Sequence, residues 1–565
     1  MTWAVGKSAK ANSWRERLDA VEVFSLVCVA IGVGLRSLWV GKRELWYDEA
    51  ISILMASGQK HAYKLPKDVP FSLQEFSGLL DVSPSQSVVE SAESVVRATT
   101  GDAHPPLFYL GEHVWMRWFG SSEVAQRSLV VLVSLLTLWI AYGLGCRVLG
   151  RRGGAIFTAL FSLNPFFLAH SLNLRMYALM VFWVVVSGRC FLALVDGGDF
   201  EGSRTTRFRW RRWFLRAGVS VSITAGLLTQ YLFAYWLFAL VALALYLDRK
   251  QWFAHGLTFG LGVLMFLPWV GWGIRQQLNN RGDVFNQIAA AKGPLQSIAQ
   301  HGKDLAQTLA NHLLLGHLTT GMLPVESAIK PTAVAVGFGA IGFLAVCTIG
   351  LYRCRQYRVL AVCSLMGFVP LLVALGADVL ANKYTLGFGW GRSTIAALPG
   401  CLLLVAAWLT LATGRWRGAF SVGLLSAYLS VCLWDFGIRD RQIFHQVNNE
   451  LIKRDEPTLV LMNSRAWGNV LRAIYYLDDE ANAEVLASDP ATVKMALTQA
   501  LGSRDYERVL FLKAEYPVWG ELEEPEMTQV SAETEALLSA NFSLEEERRL
   551  RGTMDIDRFD LQVYE

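Results

Sequence analysis

Up to about Phe436 the chain alternates long apolar runs with short basic clusters, and beyond it short apolar runs alternate with polar stretches. Eleven apolar segments stand out: 22–40, 126–146, 155–170, 176–195, 217–229, 232–247, 252–270, 331–351, 359–377, 394–412 and 419–435. A bilayer-crossing helix needs about 20 such residues at 1.5 Å each, which the longer runs supply. The runs 155–170, 217–229 and 232–247 are short, so they fit as tilted spans or as parts of their neighbours. Basic clusters mark the cytoplasmic ends. They are Arg15 to Arg17, Arg147 with Arg151 and Arg152, Arg204 to Arg216, Arg249-Lys250, Arg353 to Arg358, and Arg415 with Arg417. An odd number of spans that starts inside places the last segment outside.

The run Pro106 to Phe119 is apolar but too short to span, and counting it would put Arg151 and Arg152 on the outer face. It is expected as a helix lying in the outer interface, anchored by Trp115 and Trp118. The outer face then carries a connection 41–125, turns near 170–175 and 230, a long polar connection 271–330, and a connection 378–393. Within the first, Lys60 to Thr100 is rich in Ser, Pro and Val and reads as a partly ordered excursion.

After Phe436 the period changes. Strands are expected at Thr458–Met462, Ala483–Ala487 and Arg508–Leu512, and helices over Ala466–Leu477, from Asp489-Pro490 onward, and over Ala532–Leu538. This alternation implies a small α/β layer with a parallel sheet. It has no Gly-rich phosphate loop, so no catalytic role is assigned to it. The division is therefore a membrane domain, 1–436, and an extracytoplasmic α/β domain, 437–565.

Composition supports that division. Of 565 residues, 53% are hydrophobic and 18% charged, whereas a soluble chain carries about a quarter charged residues. The net charge of +4 says less than its distribution. The first apolar run follows Lys7, Lys10, Arg15 and Arg17 with no small-residue cleavage site before Lys42-Arg43, so it is expected to be retained as a span. All eight cysteines lie in or beside apolar runs, as small packing residues do, and they show neither disulfide nor zinc spacing.

The candidate chemistry gathers at the outer boundary. Glu44-Leu45-Trp46-Tyr47-Asp48-Glu49-Ala50-Ile51 follows the first span. Asp48 and Glu49 thus stand where the chain leaves the membrane, behind Trp46 and Tyr47 at headgroup level. A carboxylate at that depth must be wetted, paired or used. His104-Pro105-Pro106 fixes an extended lead into the interfacial helix. Arg175, with Tyr177 just after it, lies at the end of one outer turn; Arg392, with Lys383 and Tyr384 nearby, lies at another; and Arg127 starts a span. A guanidinium fork matches phosphate, although snorkelling or simple anchoring would also place an Arg at a span edge. Carboxylates, an imidazole and cations at one face suit a base that activates an acceptor while cations stabilise a departing phosphate. Asp48, Glu49 and His104 could also form part of a divalent-metal site, though no spacing singles out a metal.

In order along the chain stand Trp46-Tyr47-Asp48-Glu49-Ala50, His104-Pro105-Pro106-Leu107, Arg175-Met176-Tyr177-Ala178-Leu179, Leu267-Pro268-Trp269, and Arg392 ahead of Leu398-Pro399. This ordered set resembles the GT-C integral-membrane glycosyltransferases of bacteria. It is similar to the lipid A aminoarabinose transferases and, more distantly, to protein O-mannosyltransferases. The resemblance covers roughly residues 20–435. It implies a polyprenyl-phosphate sugar donor, inversion at the anomeric carbon, and a lipid, glycan or protein acceptor at the outer face of a bacterial plasma membrane, with no nucleic acid involved. It also implies that Asp48 is the catalytic acidic residue of the first outer loop and that Glu49 is its neighbour. His104 falls where relatives place a polar or acidic group, sometimes metal-bound, and Arg175 and Arg392 would meet the lipid phosphate. Two departures are visible: Asn173-Leu174 replaces a Glu-Ala pair, and Arg392-Ser393 replaces Arg-Tyr.

Two rival readings differ in their predictions. A flippase for a lipid-linked sugar would need the cations but no base, and no internal repeat with broken helices is evident. A membrane scaffold displaying the α/β domain would leave Asp48, His104 and Arg175 far apart, beyond about 20 Å, out of reach of shared chemistry.

Overall fold

A computed structural model describes residues 19–83, 87–196, 206–280, 294–317, 331–386, 389, 391–439, 442–515, 524–552 and 557–565. Helix α1 (Ala20–Trp39) opens with a reciprocal cap: the Glu22 N–H donates to Asp19 Oδ1 at 2.8 Å, and the Asp19 N–H to Glu22 Oε2 at 3.0 Å. Next come α2 (Tyr47–Ser57), α3 (Val88–Thr99), α4 (Leu107–Phe119), α5 (Glu123–Leu163), α6 (Pro165–Ser171) and α7 (Tyr177–Asp196). Helix α5 bends back on itself at Gly150, whose φ of 76° strongly favours glycine. Its two limbs, the second continued by α6, account for the runs 126–146 and 155–170.

Among the described residues eight helices are long and apolar enough to cross a membrane. The bend in α5 divides one of them, and Thr206–Thr229 and Tyr231–Leu247 complete the set expected from the sequence. Trp139, Leu257, Leu261 and Leu264 are exposed, as lipid-facing side chains would be, while Phe157, Phe161, Phe166 and Phe167 are buried among the helices. Two of the basic clusters meet at the C-terminal end of α7. Arg147 and Arg358 both reach Asp196, at 2.8 and 3.3 Å, while Arg151 pairs with Glu22 at 2.9 Å.

The outer connections hold more structure than their composition suggests. The stretch 60–100 contains β1 (Phe71–Ser72) and α3, which Ser87 and Glu90 cap. The connection 271–330 holds the helices Arg275–Asn280 and Pro294–Ala310, while 281–293 and 318–330 lie outside the described residues. Of the two expected anchors on α4, Trp118 is exposed, but Trp115 turns inward. Its indole N–H donates to Ala125 O at 2.8 Å and Ser128 Oγ at 3.0 Å, which fastens α4 to α5.

Five strands of the C-terminal segment and β1 form a six-stranded sheet in the order β1-β3-β2-β4-β6-β5. Strands β2 (Thr458–Met462), β3 (Ala483–Ala487) and β4 (Arg508–Ala514) are parallel, as the alternation predicts. The flanks are antiparallel, so the sheet is mixed rather than parallel: β5 (Leu544–Arg551) and β6 (Arg558–Tyr564) add one side, and β1 adds the other. Strand β5 reads Leu-Glu-Glu-Glu-Arg-Arg-Leu-Arg, and such charge on an edge strand blocks further pairing while hiding its β character. The helix expected from Asp489-Pro490 starts later, at Val493, because Asp489 O closes a turn with the Thr492 N–H at 2.9 Å. Strand β1 comes from the first outer connection. That connection and the C-terminal segment therefore share one sheet, on one side of the bundle.

Candidate active site

Helix α2 starts where the chain turns off α1. Asp48 and Glu49 occupy its first turn, where backbone N–H groups favour negative charge. Successive helical residues point about 100° apart, so the two acids face different partners.

Glu49 turns inward and is buried. Arg127 grips it with two hydrogen bonds, Nε to Oε1 at 2.9 Å and Nη2 to Oε2 at 2.6 Å. The N–H groups of Leu174 and Trp46 donate to the same carboxylate at 2.7 and 3.0 Å. Arg127 also donates to Glu44 O at 2.9 Å. Glu49 and Arg127 are thus spent on each other. Trp46 and Tyr47 are buried too, packed inside the protein. The Trp46 indole donates to Asn173 Oδ1 at 2.9 Å, tying the first motif to the Arg175 turn.

Asp48 faces two guanidinium groups. Arg392 Nη1 donates to Asp48 Oδ2 at 3.1 Å, and Arg175 Nε lies 3.9 Å from the same oxygen. The Asp48 side chain keeps 20% of its surface exposed, against 5% for Arg175 and 13% for Arg392. The carboxylate is therefore the most accessible member of the trio. Arg175 Nη1 is fixed by Ser52 Oγ at 3.0 Å, yet its buried Nε has no hydrogen-bond acceptor among the described residues.

Arg392 is placed by the glycines before it. Gly391 has φ 93°, and a Cβ there would meet His312 Nε2 at 3.1 Å. His312 Nε2 donates to Gly391 O at 2.8 Å, holding this turn against the stretch that follows helix Pro294–Ala310. Tyr177 is buried with its ring 5.8 Å beneath the Arg392 guanidinium. Lys383 lies nine residues earlier on the same connection, half-buried, with its N–H on Asp378 O at 2.9 Å.

His104 turns to Asp102, with Nδ1 at 3.2 Å from Oδ1, and its carbonyl receives Gln277 Nε2 at 2.8 Å. Asp102 is buried and also accepts the Tyr109 hydroxyl. Burial alone would raise its pKa. His104, Arg175 and the Tyr109 hydroxyl outweigh burial and hold it well below the usual carboxylate range. Arg175 thus has acids on two sides, Asp48 and Asp102. The Asp48, Glu49 and His104 set considered for a divalent ion does not converge, since Arg127 occupies Glu49 and His104 points to Asp102. Among the described residues no three His, Cys, Asp or Glu side chains group to hold a metal ion.

Asp102 and Glu112 were not singled out from the sequence. Asp102 stands two residues before His104, and that spacing was its only signal. Glu112 sits fully buried on α4 without a hydrogen-bond partner among the described residues, and burial pushes its pKa well above the usual carboxylate range.

No family model and no curated protein matches the sequence. Among solved structures, ArnT from Cupriavidus metallidurans in the apo state is similar at 13% identity and TM-score 0.40, over 96% of this chain and 98% of that one. The same protein bound to undecaprenyl phosphate gives 12% identity and TM-score 0.41 over the same shares. The oligosaccharyltransferase of Archaeoglobus fulgidus in the apo form gives 13% identity and TM-score 0.45, over 88% of this chain and 70% of that one.

Proposed function

We propose that this chain is an inverting glycosyltransferase that moves a sugar from a polyprenyl-phosphate donor to an acceptor hydroxyl at the outer membrane face. One observation carries the reading: an accessible carboxylate, Asp48, stands between two guanidinium groups at the rim of a membrane bundle. Asp48 takes the proton as the acceptor oxygen bonds to the anomeric carbon. The bond from that carbon to the phosphate oxygen breaks, and polyprenyl phosphate leaves with the electron pair. Arg175 Nε, lacking an acceptor, and Arg392 meet the departing charge. Glu49 and Arg127 keep the α2 start rigid beneath them, and Tyr177 supports Arg392. Lys383 would add positive charge on the Arg392 connection. The distribution of basic clusters supports an N-terminus in the cytoplasm and the site on the other face, and the resemblance supports a bacterial plasma membrane. A lipid, glycan or protein hydroxyl suits this geometry as acceptor.

The scaffold reading required the motif residues to lie far apart, whereas Asp48 and Arg175 approach to 3.9 Å. Transfer and flipping separate by product. Purified protein in liposomes, given a panel of polyprenyl-phosphate sugars and candidate acceptors, should release free polyprenyl phosphate, read by lipid mass spectrometry. Movement of intact donor between leaflets without release would establish a flippase instead.

A further inference from the structure

Two helices of the C-terminal domain, Ile443–Leu451 and Trp467–Tyr476, grip the chain just ahead of Asp48. Glu44 is buried, and its carboxylate accepts the Ile443 N–H at 2.9 Å, the His445 N–H at 2.7 Å and His445 Nδ1 at 2.8 Å. Arg472 Nη2 lies 3.5 Å away, and its Nη1 is held by Asp557 at 2.6 Å. One residue on, the Leu45 N–H donates to the Tyr476 hydroxyl at 2.7 Å. At Tyr47 the contact is steric: a Cβ on Gly468 would lie 2.5 Å from the Tyr47 ring. Three anchors, at positions 44, 45 and 47, thus end one position short of Asp48. The Glu44 carboxylate lies among C-terminal groups and near Glu123 of α5, and its carbonyl accepts from Arg127.

We infer that the C-terminal domain, through Glu44 and its partners Arg472 and His445, fixes where Asp48 stands, so that Glu44 is a positioning residue for the transfer step proposed above. The inference rests on that reading for its catalytic part and on geometry alone for its structural part. Breaking a buried charged contact leaves the partners uncompensated, so loss of Glu44 loosens the α2 start before it disturbs the sheet. The clamp is also sensitive to pH. His445 faces Glu44, Glu123 at the start of α5, and Tyr476 from helix Trp467–Tyr476, while Arg472 of that helix reaches Glu44. Its hydrogen bond to Glu44 raises its pKa against the opposing effect of burial. Its contribution is therefore present at low pH and lost as pH rises through the folded-state value.

Hydrogen exchange of the full-length protein in nanodiscs tests this, together with kcat and KM for the donor. In Glu44→Gln, amides over 45–57 should exchange at least about tenfold faster while β2 and β4 stay protected, equal to about 1.4 kcal/mol of local opening. kcat should fall with little change in KM. In the wild type, protection over 45–57 should decline as pH rises above the ordinary imidazole value of about 6.5. His445→Lys should keep it flat and high, and His445→Gln flat and low. Unchanged exchange over 45–57 in Glu44→Gln, or a loss spread evenly through the sheet, overturns the inference. If the wild type releases no polyprenyl phosphate from any donor while Glu44→Gln still loosens 45–57, the transferase reading falls and the clamp stands.

Discussion

Asp48→Asn separates the roles of the carboxylate and of the two guanidinium groups. The substitution keeps the shape and removes the charge that Arg392 contacts at 3.1 Å and Arg175 approaches at 3.9 Å. A general base contributes about 10²–10⁴-fold, so turnover should fall by roughly 3–5 kcal/mol in barrier terms. Binding should move the other way, because in the free protein Asp48 occupies donors that a phosphate would use. A hydrogen bond to a charged group is worth about 1.5–3 kcal/mol, and partial exposure of Asp48 and Arg392 trims that toward the lower end. Undecaprenyl phosphate should then bind Asp48→Asn about tenfold tighter than wild type, near 1.4 kcal/mol. Arg175→Ala should bind it more weakly than wild type. Titration of purified protein in nanodiscs with undecaprenyl phosphate, followed by tryptophan fluorescence, reads both. Near-normal turnover in Asp48→Asn, or weaker phosphate binding in it, would refute the reasoning.

Other substitutions probe the supporting parts. Glu49→Gln leaves Arg127 buried without its counter-charge, so thermal unfolding should show a loss of about 3–5 kcal/mol even in the absence of any ligand. Gly391→Ala forces a positive-φ alanine against His312, at a cost on the order of 1–2 kcal/mol, and should weaken undecaprenyl phosphate binding by displacing Arg392. Glu112→Gln should leave unfolding temperature and turnover close to wild type between about pH 6 and 8, since burial keeps the carboxyl neutral and Gln matches its shape; Glu112→Lys should prevent stable folding.

The sequence by itself determined the elements governed by short-range rules. Apolar length and charge located the membrane helices, because hydrocarbon admits only long runs whose backbone polar groups are satisfied within them. Alternation located β2, β3 and β4 almost to the residue. The ordered motifs supplied Asp48, Arg175 and Arg392, but composition could not show that they meet, since the contact joins positions more than 100 residues apart. Only the tertiary structure decided which of two adjacent acids is accessible. Helical rotation sends Glu49 to Arg127 and leaves Asp48 to the open side, and that depends on where α5 packs. Asp102 and Glu112 were illegible for a related reason: a carboxylate is unusual only once its burial is known. The sheet shared by β1 and the C-terminal strands was hidden as well. A two-residue strand carries no periodicity, and its pairing energy comes wholly from a partner some 400 residues away.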